Sequence, residues 1–194
     1  MTDHHQAEDI VEELGYLPLA IEQAGAYIWA QGSALAEYLL EYKTNFQSVT
    51  ESRPEGLEGY ATVYTTWQIS LEAIKGENWE AAELLHLYGF LSNDVSDELI
   101  LHGADEKIAK GTKWFKACIE LLLSYSLVKR EGGKHRVWIH PVVHAWTCHH
   151  LTMPERQQQT EHALRVVAKS ISWKSEETNF EKKVGLCKRY PSRC

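Results

Sequence analysis

A chain of 194 residues with 44% apolar content has enough apolar side chain to bury a core, and twelve Gly with five Pro are too few for a disordered or fibrous chain. The balance is acidic, 27 Asp+Glu against 20 Lys+Arg, which weighs against a nucleic-acid or anionic-membrane surface. No apolar run approaches the roughly 20 residues of a membrane span; Cys118, Cys148, Cys187 and Cys194 form no CxxC pair, and the opening Met1-Thr2-Asp3-His4-His5-Gln6 is too polar for a secretory signal, so a reduced cytoplasmic protein is expected.

From the N-terminus, Ile10, Val11 and Leu14 mark one face of a first helix, which Gly15-Tyr16 interrupts. Pro18 suits the first position of a second helix running to about Gln31, and its set Leu19, Ile21, Ala24, Ala26, Tyr27 and Ile28 is dense enough to be buried on most sides. Gly32 ends that helix and Ser33 can cap the next. There Leu35, Tyr38, Leu39, Tyr42 and Phe46 form a stripe at three- and four-residue steps. These three helices are expected to make one small bundle over residues 1–48, followed by a polar linker at 49–59.

A second domain is expected over residues 60–152. Val63, Trp67, Leu71 and Ile74 give its first helical stripe, the apolar run from Trp79 to Leu91 a second helix, and a short helix follows the Ser92-Asn93-Asp94 turn. Another helix is expected from Thr112 to Ser124. Leu127-Val128-Lys129-Arg130 and the run from His135 to Ile139, on either side of Gly132-Gly133, carry the one hairpin signal of the chain. Helices followed by a small hairpin and a further helix have the order of a winged helix. The helix before the wing is mostly apolar, with Lys113 and Lys116 its only cations, so it reads as core and not as a groove reader. Before Lys174 the chain carries 14 Lys/Arg against 24 Asp/Glu, the wrong sign for phosphate contacts.

The fold expected is therefore mainly α: a small helical bundle, a winged-helix domain with one short β-hairpin, and a C-terminal helix at 153–173 with no evident partner. Residues 174–194 lack periodicity and read as a poorly ordered tail.

The stretch with most chemical content is Val137-Trp138-Ile139-His140-Pro141-Val142-Val143-His144-Ala145-Trp146. It reads as a strand that ends in a histidine and turns at once into a helix, with Pro141 presetting the first turn. Backbone N–H groups and an imidazole at such a junction suit an anion such as a phosphate, and a purely structural histidine fits the same residues. His140, His144 and Cys148 recur every four residues, so a zinc-binding helical domain is a second reading. Catalysis finds no support: H-E-x-x-H, G-x-S-x-G and any glycine-rich phosphate loop are absent, and no residue is assigned a catalytic role.

Leu14-Gly15-Tyr16-Leu17-Pro18-Leu19-Ala20-Ile21 resembles the Gly-Leu-Pro-Leu-Ala motif of the NB-ARC (STAND) signalling ATPases, and Glu22-Gln23-Ala24-Gly25-Ala26-Tyr27-Ile28 resembles its fungal versions. Ile139-His140-Pro141-Val142 resembles the Met-His-Asp motif that closes the family's winged helix. The likeness spans roughly residues 5–172. It implies that Leu17, Pro18 and Leu19 pack on the adenine of bound ADP and that His140 meets its β-phosphate, holding a signalling switch at rest. It further implies ADP or ATP as cofactor only within a full-length protein, and none for this chain alone. The implied partners are a P-loop ATPase domain and helical repeats of a longer parent, with possible homo-oligomers. Fungal innate immunity and heterokaryon incompatibility are the settings the resemblance suggests. Three departures are plain: Pro141 stands where many relatives carry Asp, Gly15 lies one place further from Pro18 than in the shortest form of the motif, and G-x-x-x-x-G-K-[ST] is missing from the 194 residues. A stand-alone interaction or decoy module is the alternative.

Overall fold

The computed structural model describes residues 3–51, 61–103, 112–130 and 135–177. The expected mainly helical fold is what it has: helices with one short antiparallel pair of strands, in two compact units.

The first unit holds α1 (Asp3–Glu13), α2 (Pro18–Gln31), α3 (Leu35–Glu51) and α4 (Ala61–Glu77), together with the short segment Ser124–Leu127. Helix α1 ends where Gly15 and Tyr16 both take left-handed φ, at +61° and +56°, and the Tyr16 N–H reaches back to the Val11 carbonyl. The core is built on Leu14, Ala20, Ala24, Trp67, Leu71 and Ile74, all buried. Beside it runs a ladder of rings, Tyr125, Tyr27, Tyr38, Tyr42 and Phe46, with successive centroids 6.1, 5.5, 6.3 and 5.7 Å apart.

Helix α4, expected to open the second domain, packs on α2 and α3 instead, so the compact units divide at Glu77/Asn78 and not in the 49–59 stretch. Helix α3 runs on to Glu51, beyond the expected end of the bundle at 48; residues 52–60 of the expected linker lie outside the described residues. One buried polar residue organises this unit. The side-chain amide of Gln23, inside the apolar α2, donates to the Ser126 carbonyl, and Ser126 itself is held at φ +53°.

The second unit holds α5 (Trp79–Gly89), β1 (Asp94–Ser96), α6 (Asp97–Gly103), α7 (Thr112–Ser124), β2 (Arg136–Trp138), α8 (Pro141–His150) and α9 (Met153–Glu177), and α7 passes from it into the first unit at Ser124. Asn78 caps α5 by accepting from the Glu80 and Ala81 amides. The strands pair Asp94 with Trp138, Val95 with Val137 and Ser96 with Arg136. Flanking bonds from Ile139 N–H to the Asn93 carbonyl and from Asp97 N–H to the His135 carbonyl lengthen the ladder at both ends.

The strand pair differs from the hairpin expected. Strand β2 pairs mainly with β1, about forty residues upstream, and the expected partner 127–130 contributes one bridge, Lys129 with Trp138, bonded both ways at 2.7 and 2.8 Å. Residues 131–134, with the glycine pair, lie outside the described residues.

Helix α9, for which no partner was evident, packs against α6 and α5. Ala163, Val166 and Ser170 face inward, and Gly103 admits the α9 backbone so closely that a Cβ on it would lie 2.3 Å from the Val166 carbonyl oxygen. Thr152 and Glu155 form a capping box at its start: the Glu155 carboxylate accepts from the Thr152 N–H at 2.8 Å and its hydroxyl at 2.6 Å. The helix continues to Glu177, into the stretch expected to be a tail, and residues 178–194 of that tail lie outside the described residues. No helix among the described residues is long and apolar enough to cross a membrane.

Candidate functional site

The four residues singled out fall in different units. Leu17, Pro18 and Leu19 stand together at the start of α2 in the first unit; His140 stands at the start of α8 in the second. Each place has its own geometry.

Leu17 is extended, with φ −75° and ψ 114°, and offers no side-chain cap; Pro18 takes the first helical position. Proline has no N–H to leave unsatisfied there, while the amides of Leu19 and Ala20 open the helix with no intrahelical acceptor. Tyr16, 69% exposed, Leu17, 37%, and Pro18 present apolar surface around that end, with Leu19 half-buried. Further along the same helix Trp29 is 85% exposed. Helix α2 has one charged residue, Glu22, in fourteen, so it is apolar around its circumference while only one side is buried in its own unit. Helices of that composition are normally covered on all sides.

His140 is the N-cap residue of α8. Its Nδ1 accepts the Val142 N–H at 3.3 Å, and its carbonyl takes the His144 N–H at 2.9 Å. An accepting Nδ1 fixes the tautomer: the ring is neutral in this arrangement and carries its proton on Nε2, which is left as a donor. The ring stands edge-on to Trp138, centroids 5.8 Å apart at 84°. Pro141 takes the first helical position, where its missing N–H leaves no orphan donor, and the histidine before it caps the second amide.

The stripe His140, His144, Cys148 does not converge on a common point. His140 turns to its own helix amide, His144 lies half-buried with its Nε2 enclosed and unbonded, and the Cys148 thiol donates to the Gly89 carbonyl at 2.7 Å. The Gly89 carbonyl is at the end of α5, where helical donors run out, so Cys148 closes one helix end with a donor from another. Gly89 makes the approach possible: a Cβ there would meet the Thr147 Cβ at 3.0 Å. Among the described residues no group of three or more His, Cys, Asp or Glu is arranged to hold a metal ion.

Two residues that matter for these sites carry no signal of their own in the sequence. Gly89 is one glycine at a helix end, and its role appears only against Thr147; Asn93 matters through its carbonyl, which fixes Ile139 and so the strand that delivers His140.

Comparison with protein families, with curated proteins and with solved structures finds no match for the chain.

Proposed function

We propose that this chain is the helical and winged-helix regulatory arm of an NB-ARC-type signalling ATPase, contributing His140 and the Leu17–Leu19 helix start to an ADP-bound resting state. The observation that carries the reading is the state of His140. A helix N-cap imidazole whose Nδ1 is engaged presents a single neutral N–H, a donor of the kind that meets a phosphate oxygen beside a helix N-terminus. The exposed apolar start of α2 supports the reading separately, since Leu17 and Pro18 offer a surface suited to a purine face.

The arm acts mechanically. ADP can favour one arrangement of such an arm only by binding it more tightly than the other. No phosphate loop or Mg²⁺-holding acids are present in these 194 residues, so hydrolysis and most of the phosphate contacts belong to an ATPase domain elsewhere in a longer parent. Alone, the chain has half a site. Calorimetric titration of the isolated chain with ADP is therefore expected to give no saturable binding in the micromolar range, and a micromolar dissociation constant would overturn this assignment. In the parent, His140→Asn is expected to raise the ADP release rate while leaving the fold intact; an unchanged release rate counts against the role given to His140.

The exposed side of α2, with Trp29, is also what an interaction or decoy module would use. In that second reading a partner binds the isolated chain tightly with no nucleotide present, and Trp29→Ala abolishes the binding.

A further inference from the structure

Helix α9 has two faces. One is covered: Gln159, Ala163, Val166 and Ser170 are buried against the rest of the second unit. About a third of a turn away runs a second line, Met153, Gln157, Thr160, Leu164, Val167 and Ile171, which steps by four and three residues without a break. None of these residues is charged. Met153 is 75% and Leu164 65% exposed, Gln157 and Thr160 are exposed, and Val167 and Ile171 are half-buried. A solvated face gains nothing from Met, Leu, Val and Ile at this spacing, whereas a mean step of about 3.5 residues is what keeps one helix against another. At the start of the line Phe90, at the end of α5, lines a groove together with Met153, Gln157 and Thr160.

The sequence of the line selects its occupant. Turned end for end, the line fits itself: Met153 comes opposite the partner's Ile171, Gln157 opposite the partner's Val167, and Thr160 opposite the partner's Leu164. Each layer then sets one side chain against a different one, and both polar positions meet an apolar residue. A slip of one heptad leaves two positions of each line unopposed, and a parallel pair stacks Gln157 on Gln157 and Thr160 on Thr160. Antiparallel packing also opposes the two helix dipoles favourably.

We infer that α9 is the contact face of a twofold dimer of this chain, two copies joined antiparallel along Met153 to Ile171; the inference does not depend on the function proposed above. The line is about 27 Å long and a helix about 10 Å across, so each copy contributes on the order of a few hundred Å², at the low end of specific interfaces. The dimer is therefore weak and reversible, and two acidic chains repel one another unless salt screens them.

The test is sedimentation equilibrium of the whole chain from about 5 to about 500 µM in about 0.15 M salt. The weight-average mass is expected to climb from 22.2 kDa toward twice that value. Thr160→Glu and Leu164→Lys are each expected to hold the chain at the monomer mass, because each puts two charges into the contact layer; both positions are exposed, so the fold of one copy is undisturbed. Mixed one to one, the two variants are expected to dimerise again, since the antiparallel register sets the carboxylate of one copy against the ammonium of the other. A wild-type chain that stays monomeric throughout overturns the proposal and leaves the line to a different helix. A dimer indifferent to Leu164→Lys, or a mixture that stays monomeric, overturns it as well.

Discussion

Replacing Gly103 by alanine is the sharpest structural test of how the second unit is put together. An alanine Cβ at this position would lie 2.3 Å from the Val166 carbonyl oxygen, 2.7 Å from its Cγ1 and 2.9 Å from its carbonyl carbon. Two of these three atoms are backbone, so no rotamer change relieves the overlap, and α6 must move from α9 by close to an ångström. Overpacking of this kind costs about 1–3 kcal/mol. Against it stands the gain of exchanging glycine for alanine in a helix, about 0.5–1 kcal/mol and less near a helix end. The clash wins. At about 2–4 °C of melting temperature per kcal/mol, the loss is a few degrees, readable by calorimetry.

Gly25→Ala is the matched control. It sits inside α2 with nothing within 4 Å of its would-be Cβ, so only the helix gain of about 0.5–1 kcal/mol applies and the first unit is expected to melt higher. A Gly103→Ala chain that melts at or above the wild type would refute the close α6–α9 approach.

Other outcomes follow from single contacts. Ser126→Gly removes the left-handed penalty of a non-glycine residue, roughly 1 kcal/mol, against a comparable entropic loss, so thermal unfolding is expected to show no destabilisation. Gln23→Ala deletes the amide that holds the Ser126 carbonyl and leaves a cavity, and denaturant unfolding is expected to register a loss of about 2–4 kcal/mol. His140→Ala is expected to cost about 1 kcal/mol through the lost cap, whereas His140→Asn, whose side-chain oxygen can cap α8, is expected to keep wild-type stability; equal losses in both would mean that the histidine does not cap. Glu83 adds an acid limb to the stability profile. His86 and Gln159 hold its carboxyl below the usual range, so its contribution is lost as pH falls below the usual carboxylate pKa, and Glu83→Gln should flatten a pH–melting curve there.

Much of the helical plan is readable from local pattern. Pro18 at a first turn and Gly32 in a left-handed cap bound α2, and the apolar spacing of α7 places Trp114, Phe115, Cys118, Ile119 and Leu122 inward. What pattern does not encode is the partner of each face. The stripe Val63, Trp67, Leu71, Ile74 says that α4 is a helix, yet nothing in it says that it packs with α2 and α3. The glycine pair draws attention to a local hairpin, while the longer ladder joins 93–97 to 135–139, through a three-residue strand too short to have a period.

The same holds at the site. The four-residue spacing of His140, His144 and Cys148 suits a metal or a helix end equally well, and the choice is made by the Val142 amide that His140 accepts and the Gly89 carbonyl that Cys148 meets, which the spacing cannot see. Pro141 is the better local clue: it marks the first helical position and so makes His140 the N-cap residue.

The measurement closest to the central claim is the size and nucleotide content of the native protein, captured from its source cells with an antibody raised against residues 61–103. If the chain is the arm of a longer ATPase, the captured species is far larger than 22.2 kDa and carries near-stoichiometric ADP. A 22.2 kDa species free of nucleotide would contradict it.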